Sequence, residues 1–243
     1  MLEAAAWGLI AGAALLIGAG IGLRFALPQW AIALVMAFGA GALISAVAYE
    51  LTAEAYARGG TDAVIVGLTL GALSFFAGDL AIDRRGGRHR KRSGGQQSEA
   101  GGAILLGAVL DGIPESFVIG ISLLEGGTVG FAFVAAVFVS NLPEGLSGAT
   151  GLRKAGHSAR WILAMWAVVC AASALAAAAG YAVANDVADQ AIGVIQAFAA
   201  GGILTMLADT MMPEAFDEGG HRSWVGLVTV LGFAAAWWLQ VAA

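Results

Sequence analysis

Two short motifs place ionisable and amide side chains inside long apolar stretches. The first is Asp111-Gly112-Ile113-Pro114-Glu115, and the second is Ser140-Asn141-Leu142-Pro143-Glu144. Each lies near the midpoint of a stretch long enough to cross a bilayer, which takes roughly 20 residues. A charge at that depth costs about 2.5–3.5 kcal/mol on insertion scales. Carboxylates so placed must face protein, water or a cation. Helical spacing puts Asp111 and Glu115 on one face, and Ser140 and Glu144 on one face, with Asn141 a turn before Glu144. Each proline lacks an N–H and displaces the carbonyl four residues back, here those of Leu110 and Val139. Two proline-broken helices facing each other would offer two Glu carboxylates, an Asp, an Asn amide and one or two backbone oxygens. Such oxygen-rich sets suit divalent cations.

The elements that must position these groups are membrane helices. Of 243 residues, 59% are hydrophobic and 12% charged, against about 25% charged in a soluble domain. The mean hydropathy of +0.82 excludes a water-soluble surface. The expected fold is an all-α transmembrane bundle, residues 1–243 forming one integral membrane domain. Eight spans are predicted: Ala5 to Phe25, Trp30 to Ala53, Asp62 to Ile82, Ala103 to Leu124, Thr128 to Thr150, Ala159 to Ala184, Gln190 to Met212, and Ser223 to Val241. The start, MLEAAAWGLI, lacks a basic region and a cleavage site, so the first span is read as retained. Small residues four apart, such as Gly8 and Gly12, Gly18 and Gly22, and Gly67 and Gly71, allow close helix packing. Cys170 stands alone in an apolar run and reads as a packing residue.

Tryptophans mark the interfaces. Trp7, Trp30, Trp161 and Trp224 begin spans, and Trp237 and Trp238 lie near the end of the last, as amphipathic rings do at the headgroups. Trp166 is the exception. With alternating spans, 11 of the 12 basic residues fall on one face, leaving Arg58 opposite. The positive-inside rule then puts both termini outside the cytoplasm, in a cell (inner) membrane. Residues 83–100 form a basic, Gly/Ser/Gln-containing flexible cytoplasmic loop. Its basic run reads as a topology signal rather than a nucleic-acid site.

Two internal repeats appear. Ala37 to Ala55 aligns without gaps with Ala197 to Ala215, at an offset of 160 that matches Phe38 with Phe198, Gly41 with Gly201 and Glu54 with Glu214. Leu110 to Ser116 pairs with Val139 to Gly145. Both pairs lie on oppositely directed spans, as in inverted-repeat transporters. The expected arrangement is 3 + 2 + 3, with spans one to three mirrored by six to eight around a central pair. On spans two and seven, Glu50, Glu54, Asp209 and Glu214 read as the two mouths of a pathway, with Glu50 and Asp209 the deeper. Asp79 reads as a solvated interfacial residue. His89, His157 and His221 fall in predicted cytoplasmic loops, and Met206, Met211 and Met212 read as packing.

The two central motifs and both repeats resemble the ZIP (Zrt/Irt-like) family of divalent metal transporters, in its bacterial form. The resemblance implies eight spans with outward termini, a variable cytoplasmic loop after span three, and a metal site between spans four and five. Asp111, Pro114 and Glu115 fall at the family's H-N-x-P-E-G pattern. Ser140, Asn141, Pro143, Glu144 and Gly145 fall at its span-five counterpart. The implied metal ligands are Asp111, Glu115, Asn141 and Glu144, with Glu50, Glu54, Ser140, Asp209 and Glu214 along the pathway. The substrate is a divalent ion, zinc first and iron or manganese next, with no organic cofactor. This chain departs from the pattern in having Asp111 and Ser140 at His positions and Gly112 at the Asn position. Span six lacks the bridging Glu of some members, which implies a single rather than binuclear site. Losing imidazole shifts preference toward harder metals, although zinc still binds oxygen donors well.

Other readings are a proton-coupled transporter or exporter of another solute, and an intramembrane hydrolase suggested by Gly145-Leu146-Ser147-Gly148. The hydrolase needs a general base, and no span contains a histidine. The sequence leaves the oligomeric state open, and a homodimer is one arrangement it allows.

Overall fold

The computed structural model describes residues 1–84, 101–123, 130–217 and 222–242. Among them every regular element is helical. In chain order these are α1 (Leu2–Arg24), α2 (Gln29–Ala46), α3 (Thr52–Ile82), α4 (Gly101–Ser122), α5 (Phe131–Lys154), α6 (Ala159–Asp186), α7 (Asp189–Met206), α8 (Met212–Asp217) and α9 (Arg222–Ala242). A five-residue π turn joins α2 to α3 at Val47–Leu51, and another joins α7 to α8 at Leu207–Met211.

Seven helical stretches among the described residues are long and apolar enough to cross a membrane, where the sequence predicted eight. The difference lies in residues 29–82, which run as one 54-residue stretch. A straight helix of that length would reach about 81 Å, against roughly 30 Å of hydrocarbon. Gly60 interrupts it with φ 70° and ψ −170°. That conformation is open to glycine and closed to residues with a Cβ. Both predicted spans, Trp30 to Ala53 and Asp62 to Ile82, lie in this stretch on either side of the break. The other boundaries fall close to those predicted. Of the predicted basic loop, Asp83 and Arg84 continue the helix. The rest of it, His89 included, lies outside the described residues, as does His221.

Glycines set how the helices meet. Gly18 packs on the carbonyl of Leu142 and Gly145 on that of Leu15, locking α1 to α5. Gly120 and Gly180 do the same with Ala177 and Phe117, locking α4 to α6. Gly41 and Gly232 lock α2 to α9 through Thr229 and Phe38, and Gly71 and Gly201 lock α3 to α7 through Phe198 and Leu68. At each crossing a Cβ would collide with backbone. Lipid gives apolar helices no hydrophobic reason to associate, so this close van der Waals fit is what holds them. Phe38 and Gly41 make on α9 the contact that Phe198 and Gly201, the residues 160 further on, make on α3.

Trp166, the ring out of place in the predicted belt, is fully buried against Gly148 and beside Leu152 and Ile162. Trp30, Trp161, Trp224, Trp237 and Trp238 are exposed, as interfacial rings are.

The turn from α5 to α6 is tightly specified. Gly156 N–H donates to Arg153 O at 3.1 Å and His157 N–H to Leu152 O at 3.1 Å, the paired bonds of a Schellman cap. Gly156 has φ 98°, and the Ser158 side chain accepts the Trp161 amide to begin α6. Gly156→Ala should therefore cost about 1 kcal/mol, read as a lowered unfolding midpoint in detergent with unchanged expression.

Candidate functional site

The sequence predicts helices broken at Pro114 and Pro143, and the structure corrects this: α4 and α5 remain helical through both prolines. Proline's φ of about −65° suits a helix, so only one hydrogen bond is lost and one carbonyl displaced. At Pro143 that carbonyl belongs to Val139. It lies 3.3 Å from where a Cβ of Gly39 would sit, so α2 covers it closely because residue 39 is glycine.

All five polar residues of the two motifs are buried, Glu115 at 2% and Glu144 at 7% exposure, with Asp111, Ser140 and Asn141 equally enclosed. Asn141 Nδ2 donates to Ala11 O on α1 at 3.2 Å. With its amino group fixed on a carbonyl, its Oδ1 is the atom left for a cation. Ser140 Oγ donates to Val137 O at 2.9 Å within α5 and leaves oxygen lone pairs over. Gly112 faces the Ser173 hydroxyl of α6, 3.6 Å from a Cβ position. The two motifs are thus held by different neighbours, α4 by α6 and α5 by α1 and α2. Among the described residues no group of three or more His, Cys, Asp or Glu side chains is gathered closely enough to hold a metal ion.

The π turns are what the sequence did not reveal. They begin at Val47 and Leu207, 160 residues apart, the offset of the longer repeat. In each, the next amide reaches back five residues, Thr52 to Val47 O and Met212 to Leu207 O. Such turns are frequent at functional sites. Glu50 sits in the first and Asp209 in the second. Gln240 Nε2 on α9 donates to Tyr49 O at 3.0 Å, pinning the first turn from outside.

The predicted pathway residues separate by environment. Glu50 is buried against Gly130 at the start of α5. Glu54 is half-buried and accepts a 2.8 Å hydrogen bond from Gln196 Nε2 on α7. Gln196 is fully enclosed, and it is not among the residues that the sequence motifs single out. Its signal was an amide inside the apolar run IGVIQAFAAGG. At the other end of α7 the two carboxylates differ in exposure. Asp209 is exposed, while Glu214 and Thr210 are buried. Asp79 is half-buried on α3. The Ser147 hydroxyl is wholly buried and donates to Glu144 O at 3.3 Å, bonded to its own helix rather than poised for attack.

Near Gln196, Arg58 Nη1 bridges Asp189 Oδ1 at 2.9 Å, tying α3 to the start of α7. Asp189 is 80% exposed, and exposed ion pairs contribute about 0–1 kcal/mol. Arg58→Gln should leave the thermal midpoint within a degree or two, as a melting curve in detergent would record. A cavity of 240 Å³ opens beside this pair, bounded by Ile121, Ala184 and Ile192.

No curated protein was found to match the chain. A family model described as ZIP zinc transporter matches residues 81–237, from the last turn of α3 into α9.

Proposed function

The chain belongs to the ZIP zinc transporter family, a family of divalent metal transporters, and on that premise we propose that it moves a divalent transition metal, zinc before iron or manganese, into the cytoplasm. Glu115, Glu144, Asp111 and the Asn141 Oδ1 are the proposed ligands, contributed by α4 and α5; because the described residues gather no three-carboxylate group, this set closes around the ion only as α4 and α5 draw together. The observation that carries the reading is the burial of five polar side chains at two Pro-Glu motifs, both inside the matched segment. Intramembrane carboxylates without such a role would be costly to keep.

Glu50 and Glu54, with Gln196, form the proposed entrance, and Asp209 and Glu214 the exit. Gln196 and Glu214 are 18 residues apart, about 27 Å of helix, close to the hydrocarbon thickness of roughly 30 Å. The basic residues Arg153, Lys154 and Arg160 lie around the turn that begins α6, and Arg58 near the other end of that helix. That charge asymmetry supports the orientation with both termini outside and the exit in the cytoplasm.

The glycine crossings suggest how access alternates. They lock α1, α4, α5 and α6 into one group, joined through Gly8 and Gly12 of α1 against α6, and pair α2 with α9 and α3 with α7 in the other, with Gly39 of α2 against Ser140 of α5 as the close crossing between the two groups. Between α4 and α7 a cavity of 250 Å³ lies among Ile113, Phe117, Ile195 and Phe198. It is apolar and loosely packed, a surface along which the α4/α5 group can shift against its frame. The shared offset of repeat, π turns and crossings supports the 3 + 2 + 3 inverted arrangement.

Uptake of radioactive zinc into proteoliposomes, with iron, manganese, cadmium and magnesium as competitors, tests the reading. Zinc accumulation that excess zinc, iron or manganese suppresses and magnesium does not is expected. Protein-dependent uptake of none of these ions would overturn it.

A further inference from the structure

A second site lies at the end of the bundle opposite Arg58. The linker between α1 and α2 stands away from the C-terminal turn of α5, and a cavity of 480 Å³ opens between them. Arg24, Phe25, Leu27, Thr150, Arg153 and Lys154 line it, and among the described residues no carboxylate does. Gly22 sets its floor. A Cβ there would lie 2.6 Å from Leu146 O and 2.9 Å from Thr150 Oγ1, so only glycine lets α1 and α5 converge beneath the opening.

Basic residues in last turns commonly offset the helix dipole. Two C-termini meet here, each worth roughly half a negative charge, whereas Arg24 and Arg153 alone bring two positive charges to the cavity. The Leu152 and Arg153 carbonyls are already bonded through the Schellman cap, so these side chains are not needed to cap α5. The Arg24 guanidinium lies 5.4 Å over the Phe25 ring, which orients it. Neither Arg24 nor Arg153 has a carboxylate partner among the described residues.

We propose that this cavity binds the phosphate headgroup of an anionic phospholipid. Arginine forks suit phosphate oxygens. At about 30 Å³ per water, 480 Å³ holds roughly sixteen waters, ample for a phosphate diester and its glycerol. Phe25 and Leu27 are exposed along the same linker, and Trp30 is exposed in the first turn of α2. They offer acyl chains an apolar rim at interfacial depth, which a free anion would not use. Basic pockets between membrane helices are a recognised setting for such headgroups.

Native mass spectrometry of the delipidated protein, titrated with phosphatidylglycerol or phosphatidylcholine, tests this. Phosphatidylglycerol should bind at least fivefold more tightly than phosphatidylcholine. The double variant Arg24→Gln/Arg153→Gln should bring it to the phosphatidylcholine level. Arg24→Lys/Arg153→Lys should retain part of the preference, with the melting midpoint of both variants in phosphatidylcholine unchanged. Equal binding of the two lipids, or undiminished phosphatidylglycerol binding by the Gln variant, would overturn the proposal. Displacement of phosphatidylglycerol by millimolar inorganic phosphate would overturn the lipid assignment in favour of a free-anion site.

Discussion

Zinc uptake by Glu115→Ala or Glu144→Ala should fall by a factor on the order of 10 to 100, with the protein present at normal levels. Each carboxylate is buried on its own helix, and each is a proposed ligand of the same ion. Cation affinity in oxygen sites is tuned over decades by the number of charged ligands, so losing one of two glutamates is felt directly. The isosteric Glu→Gln changes should cost nearly as much, because they keep the shape and remove the charge. Asn141→Ala should cost less, since the amide supplies one neutral oxygen and is partly engaged with Ala11. Its effect should fall on apparent affinity more than on maximal rate. Initial-rate uptake across a range of zinc concentrations separates these cases.

The largest effects on stability should come from glycine crossings remote from the motifs. Gly41→Ala and Gly201→Ala should each lower stability by about 2–3 kcal/mol, toward the upper end for overpacked sites. The added methyl meets the backbone carbonyls of Thr229 and Leu68 respectively. A carbonyl inside a packed helix cannot swing away as a side-chain terminus can. Gly20→Ala and Gly226→Ala are the controls, because nothing lies within 4 Å of a Cβ at either position. They should be neutral or slightly stabilising, alanine being the better helix former. Equilibrium unfolding in mixed micelles compares the four. Similar losses at all four positions would mean that the crossings are not what holds the helices together.

Hydropathy and charge made the membrane helices and the buried Pro-Glu motifs legible, since both depend on composition over some 20 residues. Local geometry was less legible. At Pro114 and Pro143 the residue type suggested broken helices, but the lost hydrogen bond is local and at Val139 glycine packing covers the carbonyl. The run Arg58-Gly59-Gly60-Thr61-Asp62 has the composition of a loop, and a single glycine conformation carries the break instead. The π turns leave no compositional mark because each adds only one residue to a helical turn. That residue rotates the remainder of the helix by about 100°. Depth along a helix can be read from sequence, but the facing direction after such a rotation cannot. Gln196 is not legible in the sequence because one amide in an apolar helix carries no pattern. Only its partner, Glu54 on another helix, gives it meaning.

Transport by this chain rests on one ion held by Glu115 and Glu144 together. X-ray absorption at the zinc edge, with metal content measured on the purified, zinc-loaded protein, tests that most directly. The expected spectrum has only oxygen and nitrogen neighbours at about 2.0–2.2 Å, with bound zinc lost from Glu115→Gln and Glu144→Gln alike. A sulfur neighbour at about 2.3 Å, which only Cys170 or a methionine could supply, or full zinc retention by either variant, would contradict it.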